Sequence, residues 1–181
     1  MVMTPEDKEE RKRQRLLATA IKVSARTYSR KTVAPLFQKM IRAEWATDMR
    51  RYLSAVVDGR IQQVERWPGQ CVCVTCGKVD RWNSGIKGMH TGHFLASRCN
   101  SILFEETNVA PQCSECNYYR SGAQNEFRMW MVSVYGQEWV EQLEQKKRQS
   151  VSFTHEELVD MRMEYADRLK QAELVLKGCS S

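Results

Sequence analysis

The 181-residue sequence predicts an α+β chain, with a small zinc-stabilised ββα core flanked by N-terminal and C-terminal α-helices. Three observations predict it. Apolar residues recur at helical spacing in the first and last thirds of the chain. After the break Trp67-Pro68-Gly69-Gln70 the texture changes to short strand-like stretches and turns rich in Cys, Gly, His and Asn. Two Cys-x-x-Cys pairs bracket that middle region.

Taken in order, the first helix starts at Thr4. Thr4 caps it, Pro5 suits its first position and Asp7 completes a capping box. Lys8, Arg11, Lys12 and Arg15 then share one face, in a basic N-terminal arm over residues 1–30 whose first turns are expected to fray. Residues 24–31, SARTYSRK, read as a hinge. A long amphipathic helix is expected within residues 31–66, because Phe37, Ile41, Trp45, Met49, Leu53 and Val57 recur every four residues. Asp58-Gly59 reads as its stop. Its apolar stripe needs cover, either from the chain's own C-terminal helices or from a second subunit. Arg42, Arg50 and Arg51 lie on or near its other side. The core is expected over 67–125 and further helices over 126–181. Of these, Phe127, Trp130, Met131 and Val134 mark one face, Trp139, Val140 and Leu143 the next. Thr154 and Glu157 form a capping box for the last.

Net charge is +6, unevenly spread. Residues 1–66 hold 15 Lys/Arg against 8 Asp/Glu, whereas the rest is close to neutral. A basic arm on a neutral body suggests a polyanion such as nucleic acid, or else a solvated helix face. No apolar run is long enough for a membrane span and no secretory signal is visible, so the expected location is cytoplasmic. Seven cysteines in such a chain argue for metal binding over a disulfide framework.

Cys73-x-x-Cys76 and Cys113-x-x-Cys116 supply four thiolates for one tetrahedral Zn²⁺, with Gly77 closing the first turn. Cys71 competes with Cys73, since alternation in a strand places both on one face. Cys99 and Cys179 read as plain small residues, and His155 as a surface residue. The insert between the knuckles carries His90, His93 and Asn108, and Asn117 follows Cys116. This is the layout of a ββα-metal, His-Asn-His (HNH) nuclease core. Phosphodiester hydrolysis needs a base for water and a cation for the developing charge. A neutral imidazole suits the first task. His93 is the candidate base, His90 and Asn117 the candidate ligands of a catalytic divalent ion. Asn108 is the candidate tie between loop and strand that orients His93. A loop pair without a role, or His90 as a zinc ligand, are the competing readings.

Beyond these residues, CVTCGK, TGHFLASRCNSILFEETNVAPQCSECNYYRSG and MVSVYGQEWVEQLEQ resemble the phage NinG/Rap family of recombination endonucleases, over roughly residues 67–170. The core layout is also similar to phage endonuclease VII, a zinc-containing Holliday-junction resolvase. The resemblance implies a phage-encoded, divalent-metal-dependent endonuclease on branched DNA such as Holliday junctions and D-loops. It implies His93 as general base, Asn117 as metal ligand, and Cys73, Cys76, Cys113 and Cys116 as zinc ligands. This chain departs from the pattern twice. His90 stands where relatives often carry an acid, and Gly92 where endonuclease VII-like enzymes carry a metal-binding Asp. The expectation is that His90 and Asn117 hold Mg²⁺ or Mn²⁺, with help from Glu105 or Glu106 and a preference for Mn²⁺, since imidazole is a poorer ligand for Mg²⁺ than for softer ions. Arg98 and Arg120 are expected to touch phosphate, and so are Lys8, Arg11, Lys12, Arg15, Arg42, Arg50 and Arg51. A homodimer would supply two matched sites for the two cuts of a junction. The alternatives are a zinc-stabilised branched-DNA-binding module with a degenerate site, or a sequence-specific nuclease.

Overall fold

A computed structural model of the chain describes residues 3–96 and 99–178. Arg98 and Cys179 lie outside the described residues. Helix α1 (Pro5–Ala20) begins as its sequence dictates: the Thr4 hydroxyl accepts from the Asp7 amide, and the Asp7 carboxylate accepts from the Thr4 amide. Its first turns are helical, not frayed. Residues 24–31 are not a hinge. Ser24 caps a short helix α2 (Ala25–Tyr28), which widens into a π-helical segment (Ser29–Val33) and runs directly into α3 (Ala34–Thr47).

The long helix expected within 31–66 ends at Thr47. Beyond it, β1 (Tyr52–Val57) and β2 (Arg60–Glu65) form an antiparallel hairpin. The reason is local. Asp58 and Gly59 both adopt left-handed φ (49° and 71°), the geometry of a two-residue hairpin turn whose twist matches the strands. The β-branched residues around it fit a pleated surface better than a helix. Leu53 and Ala55 turn inward on alternate positions. Arg66 locks the hairpin's exit. Its side chain is buried, with hydrogen bonds to the carbonyls of Ala46, Arg50, Trp67 and Gln70 and Asp48 at 3.7 Å.

Strands β3 (Gln70–Val72) and β4 (Val79–Arg81) pair around the first cysteine turn. Strands β5 (Met89–His93) and β6 (Val109–Cys113) pair antiparallel with His90 opposite Gln112 and His93 opposite Val109. Between them lie α4 (Asn100–Leu103) and a 3-10 turn. A π-helical segment (Glu115–Tyr119) follows β6. Then come α5 (Gln124–Tyr135), α6 (Gln137–Lys146) and α7 (His155–Gly178), the last capped by the Thr154–Glu157 box. Each sheet has two strands. Single main-chain bonds, Val56 N–H to Val74 O (2.8 Å) and Val74 N–H to Pro111 O (3.0 Å), stitch them together.

Two large apolar cores, and a small one of Leu53, Ala55 and Val72, hold these parts. Phe37, Met40 and Ile41 of α3 pack on Leu158, Tyr165 and Leu169 of α7, with the Phe37 and Tyr165 rings 5.2 Å apart. The α3 stripe is therefore covered by the chain's own last helix. The second core joins Val56, Val74, Phe94 and Ile102 to Phe127, Trp130, Val140 and Leu143. Trp130 also donates its indole N–H to the Ser54 carbonyl at 3.0 Å. Helix α1 lies along α7, held by Arg13 to Asp160 and Lys12 to Asp167. His155 hydrogen-bonds the Val23 carbonyl at 2.9 Å and is half-buried, more enclosed than a surface residue.

Candidate metal centre and adjoining cleft

The four cysteines meet. The sulfurs of Cys73, Cys76, Cys113 and Cys116 all lie within 4.8 Å of one another. The first pair sits on a tight turn closed by Gly77 N–H to Cys73 O (2.8 Å). Gly77 has φ 76°, and a Cβ there would meet the Val57 side chain at 2.5 Å, so only glycine fits. In the second knuckle the Cys116 amide points at the Cys113 sulfur at 3.5 Å. The Cys76 and Cys113 sulfurs are 3.7 Å apart. Tetrahedral Zn–S bonds of about 2.3 Å place sulfurs about 3.8 Å apart, so the cluster has the dimensions of a zinc site.

Its electrostatics fit as well. Hydrogen bonds from Cys76 and Thr75 pull the Cys73 thiol down to about 5, while Cys76 is pushed up by its hydrogen bond with Cys73 and by burial. Burial pushes Cys113 to about 11. The Cys73 thiolate forms readily; burial and crowding oppose those of Cys76 and Cys113 until a dication offsets them. Cys71 stays out of the group. Its thiol donates to the Arg42 carbonyl at 3.4 Å, and burial raises it to about 12.

The same knuckle positions Asn117. Asn117 Nδ2 lies 3.2 Å from His90 Nδ1, and His90 Nε2 lies 2.7 Å from the Ile86 carbonyl. A neutral imidazole protonated at Nε2 satisfies both bonds. Both His90 nitrogens are therefore engaged within the chain. His90 thus holds the Asn117 amide group through its Nδ2.

His93 sits at the end of β5. It lines a cleft of about 460 Å³ together with Asn117, Phe94, Ser121, Gly122, Gln124 and Lys147. Its Nε2 is buried and has no hydrogen-bond partner among the described residues. Burial lowers its pKa from 6.5 to about 4, opposed slightly by a hydrogen bond with the Leu103 backbone. The ring is neutral at pH 7. Asn108 ties the segment after β5 to the turn before β6. It is buried, accepts from the Leu95 amide (2.8 Å) and donates to the carbonyls of Leu95 (3.1 Å) and Ile102 (3.3 Å). Its own carbonyl accepts from Phe94 N–H.

Two residues escaped the sequence reading. Lys147 brings a cation into the cleft from the far end of the chain. Gln112 fills the space beside Gly92. A Cβ on Gly92 would lie 2.0 Å from Gln112 Oε1. Gln112 is itself buried and tethered to Thr75 and the Gly122 carbonyl. The carboxylate missing at position 92 is thus excluded by volume. Among the described residues, no carboxylate lines the cleft. Glu105 bonds Lys146 and Thr107, and Glu106 pairs with Arg168, so neither assists there.

The expected phosphate contacts divide. Arg42 is half-buried and bonds Trp82 O, Gln38 O and Thr91 Oγ within the chain. Arg120 is shared between Glu126 and the Cys116 sulfur. Arg50 pairs with Asp48. Arg51 pairs with Glu65 and stacks on Trp67. Lys12 bonds Glu9, while Lys8, Arg11 and Arg15 are exposed on α1.

The family model described as "Bacteriophage Lambda NinG protein" matches residues 3–174. The chain belongs to the NinG family. Curated NinG-family relatives include Protein ninG of Escherichia phage lambda, 29% identical over 101 residues, and Protein ninG of Salmonella phage P22, 26% identical over 101 residues. Each match covers 54% of this chain and 46% of the relative, so the alignment spans less than half of the curated NinG proteins. No solved structure matches the chain. Among the described residues, no helix is long and apolar enough to cross a membrane.

Proposed function

We propose that this NinG-family chain is a divalent-metal-dependent, structure-specific endodeoxyribonuclease with an HNH-type ββα-metal core, acting on branched DNA such as Holliday junctions and D-loops. The observation that carries the reading is the shared cleft of His93 and Asn117. The strand pair β5–β6, the four-cysteine cluster and the helical segment after it supply the corresponding framework.

In this reading His93, its ring neutral, takes a proton from the attacking water in the cleft that it lines. Binding of a phosphodiester places negative charge beside the imidazole and raises its basicity toward the working pH. Asn117 Oδ1, fixed by Cys116 behind it and His90 beside it, would hold Mg²⁺ or Mn²⁺. That ion supplies charge stabilisation at the phosphate and the leaving 3′ oxygen. Lys147 draws the phosphate in. Tyr118 and Tyr119, both largely exposed next to Asn117, offer π faces to bases unstacked at a branch. Two symmetric cuts call for a homodimer, with contacts elsewhere than the covered α3 stripe.

Cleavage of a synthetic four-way junction under a panel of divalent ions tests this, with linear duplex as comparison and His93→Ala as control. Wild-type cutting that depends on the ion and on His93 is the expected result. A second reading, a zinc-stabilised branched-DNA-binding module, is favoured by the absence, among the described residues, of any carboxylate in the cleft. Tight junction binding with no cutting under any ion would establish it in place of the first.

A further inference from the structure

The connection between β4 and β5 breaks two local rules. Gly85 to Gly88 form a β-turn, closed by Gly88 N–H to the Gly85 carbonyl (3.1 Å), with Ile86 and Lys87 at its corners. Such corners favour Pro, Asn, Asp, Ser and Gly, whereas isoleucine is a strand former. Ile86 is also 90% exposed, more than any other large apolar side chain among the described residues. Lys87 beside it is exposed as well. A local choice that costs the isolated fold, and that nothing in the fold offsets, marks a contact made with another molecule.

The turn is braced from three sides. The Ser84 hydroxyl donates to the Arg81 carbonyl (2.7 Å) and accepts from the Met89 amide (3.1 Å). A Cβ on Gly88 would lie 1.8 Å from that hydroxyl, so glycine lets the turn close. Ser114, inside the second knuckle, donates its hydroxyl to the Lys87 carbonyl (2.9 Å) and its amide to the Gly88 carbonyl (3.0 Å). The third brace is His90, whose Nε2 holds the Ile86 carbonyl (2.7 Å) and whose Nδ1 holds Asn117 (3.2 Å). One imidazole thus joins the turn to a residue that lines the His93 cleft. A stiffly held apolar side chain next to a cation has the chemistry of a DNA wedge. The apolar group enters between two bases and unstacks them, while the lysine meets a phosphate. Unstacking costs least where pairing is already interrupted, as at a branch. We infer that the Ile86–Lys87 turn is a wedge that enters the branch point of the DNA, held by His90 at a fixed offset from the His93–Asn117 cleft. The inference rests on the reading of that cleft as a branched-DNA site.

A four-way junction carrying the fluorescent base 2-aminopurine at its branch point tests it, without added Mg²⁺ or Mn²⁺. Unstacking raises the fluorescence, and anisotropy reads the preference for junction over linear duplex. Ile86→Asn places a turn-favoured polar residue at the corner, and Ile86→Leu keeps the apolar bulk. Ile21→Asn makes the same kind of change at another exposed apolar residue, on α1's far side of the chain sequence and outside the turn. Wild type, Ile86→Leu and Ile21→Asn should show the fluorescence rise and agree within about twofold, whereas Ile86→Asn should lose most of the rise and at least about fivefold of the junction preference. A rise and a preference within about twofold of wild type in Ile86→Asn, or an equal loss in Ile21→Asn, would overturn the wedge. So would a wild type that leaves the branch-point base stacked. Dissociation of a wild-type dimer by Ile86→Asn in sedimentation would also overturn it, by assigning the turn to a subunit contact. None of these measurements needs cleavage. A wild type that unstacks the branch but never cuts under any ion refutes the nuclease reading alone, and one that cuts junctions equally well as Ile86→Asn refutes the wedge alone.

Discussion

Asn108→Ala should destabilise the chain by about 3–5 kcal/mol. The magnitude follows from what the side chain satisfies. Its amide closes three bonds, to Leu95 N–H, Leu95 O and Ile102 O, and the residue is fully buried. Truncation to alanine leaves those three backbone groups without a partner. An unsatisfied buried group costs about 1–3 kcal/mol, less where water enters, and the half-buried Leu95 groups lie at the low end. Asn108→Asp keeps the shape but loses both donors and sets a carboxylate against two carbonyl oxygens, so its loss should be at least as large. Urea denaturation measures both. Because Asn108 pins the loop directly after His93, NMR titration of Asn108→Ala should also show the His93 pKa rising from about 4 toward 6.5 as the ring gains solvent. A stability loss under about 1 kcal/mol with an unchanged slope in urea would refute the reasoning, since it would mean the three bonds are replaced at no cost.

The remaining predictions concern the metal cluster, the histidine and the glycine. His93 has a folded pKa near 4 against 6.5 for the free ring, so the unfolded chain binds more protons between those values. Its contribution is present above pH 6.5 and lost as pH falls toward 4, up to about 3 kcal/mol. His93→Gln should flatten that part of a stability–pH curve relative to wild type, and parallel curves would count against it. Cys113→Ser should abolish stoichiometric zinc binding and lower the melting temperature, whereas Cys71→Ser should leave zinc content unchanged; elemental analysis after dialysis reads both. Gly92→Asp should destabilise by about 1–3 kcal/mol through collision with Gln112. Adding Gln112→Ala should then cost less than the two changes separately, and additive costs in denaturation would argue against that collision.

How much was legible depended on whether the signal was local. The Thr4–Asp7 and Thr154–Glu157 boxes are complete within four residues, and both helices start where those residues say. The cysteine cluster was legible because Cys-x-x-Cys spacing is itself the chelating geometry. The β1–β2 hairpin was misread because Leu53 and Val57 satisfy a period of four and a period of two at once. The deciding residues were Asp58-Gly59, which fit a helix stop as well as a hairpin turn. Lys147 and Gln112 carry no sequence signal, because their importance comes from which elements pack together. His90 shows the opposite case. Its position beside Asn117 was foreseeable, but the Ile86 carbonyl that occupies its other nitrogen was not.

The three two-stranded sheets have a consequence for how this protein loses structure. A lone pair of strands is marginal in water. Among the described residues none is backed by a third strand; each leans on helices from distant parts of the chain or on the cysteine cluster. A fragment cut to residues 67–125 would keep all four cysteines yet forfeit α3, α5 and α7, the surfaces its strands rest against. The candidate site is therefore not a portable cassette. It exists only while both ends of the chain are folded around it, so local loosening and global unfolding should be nearly one event.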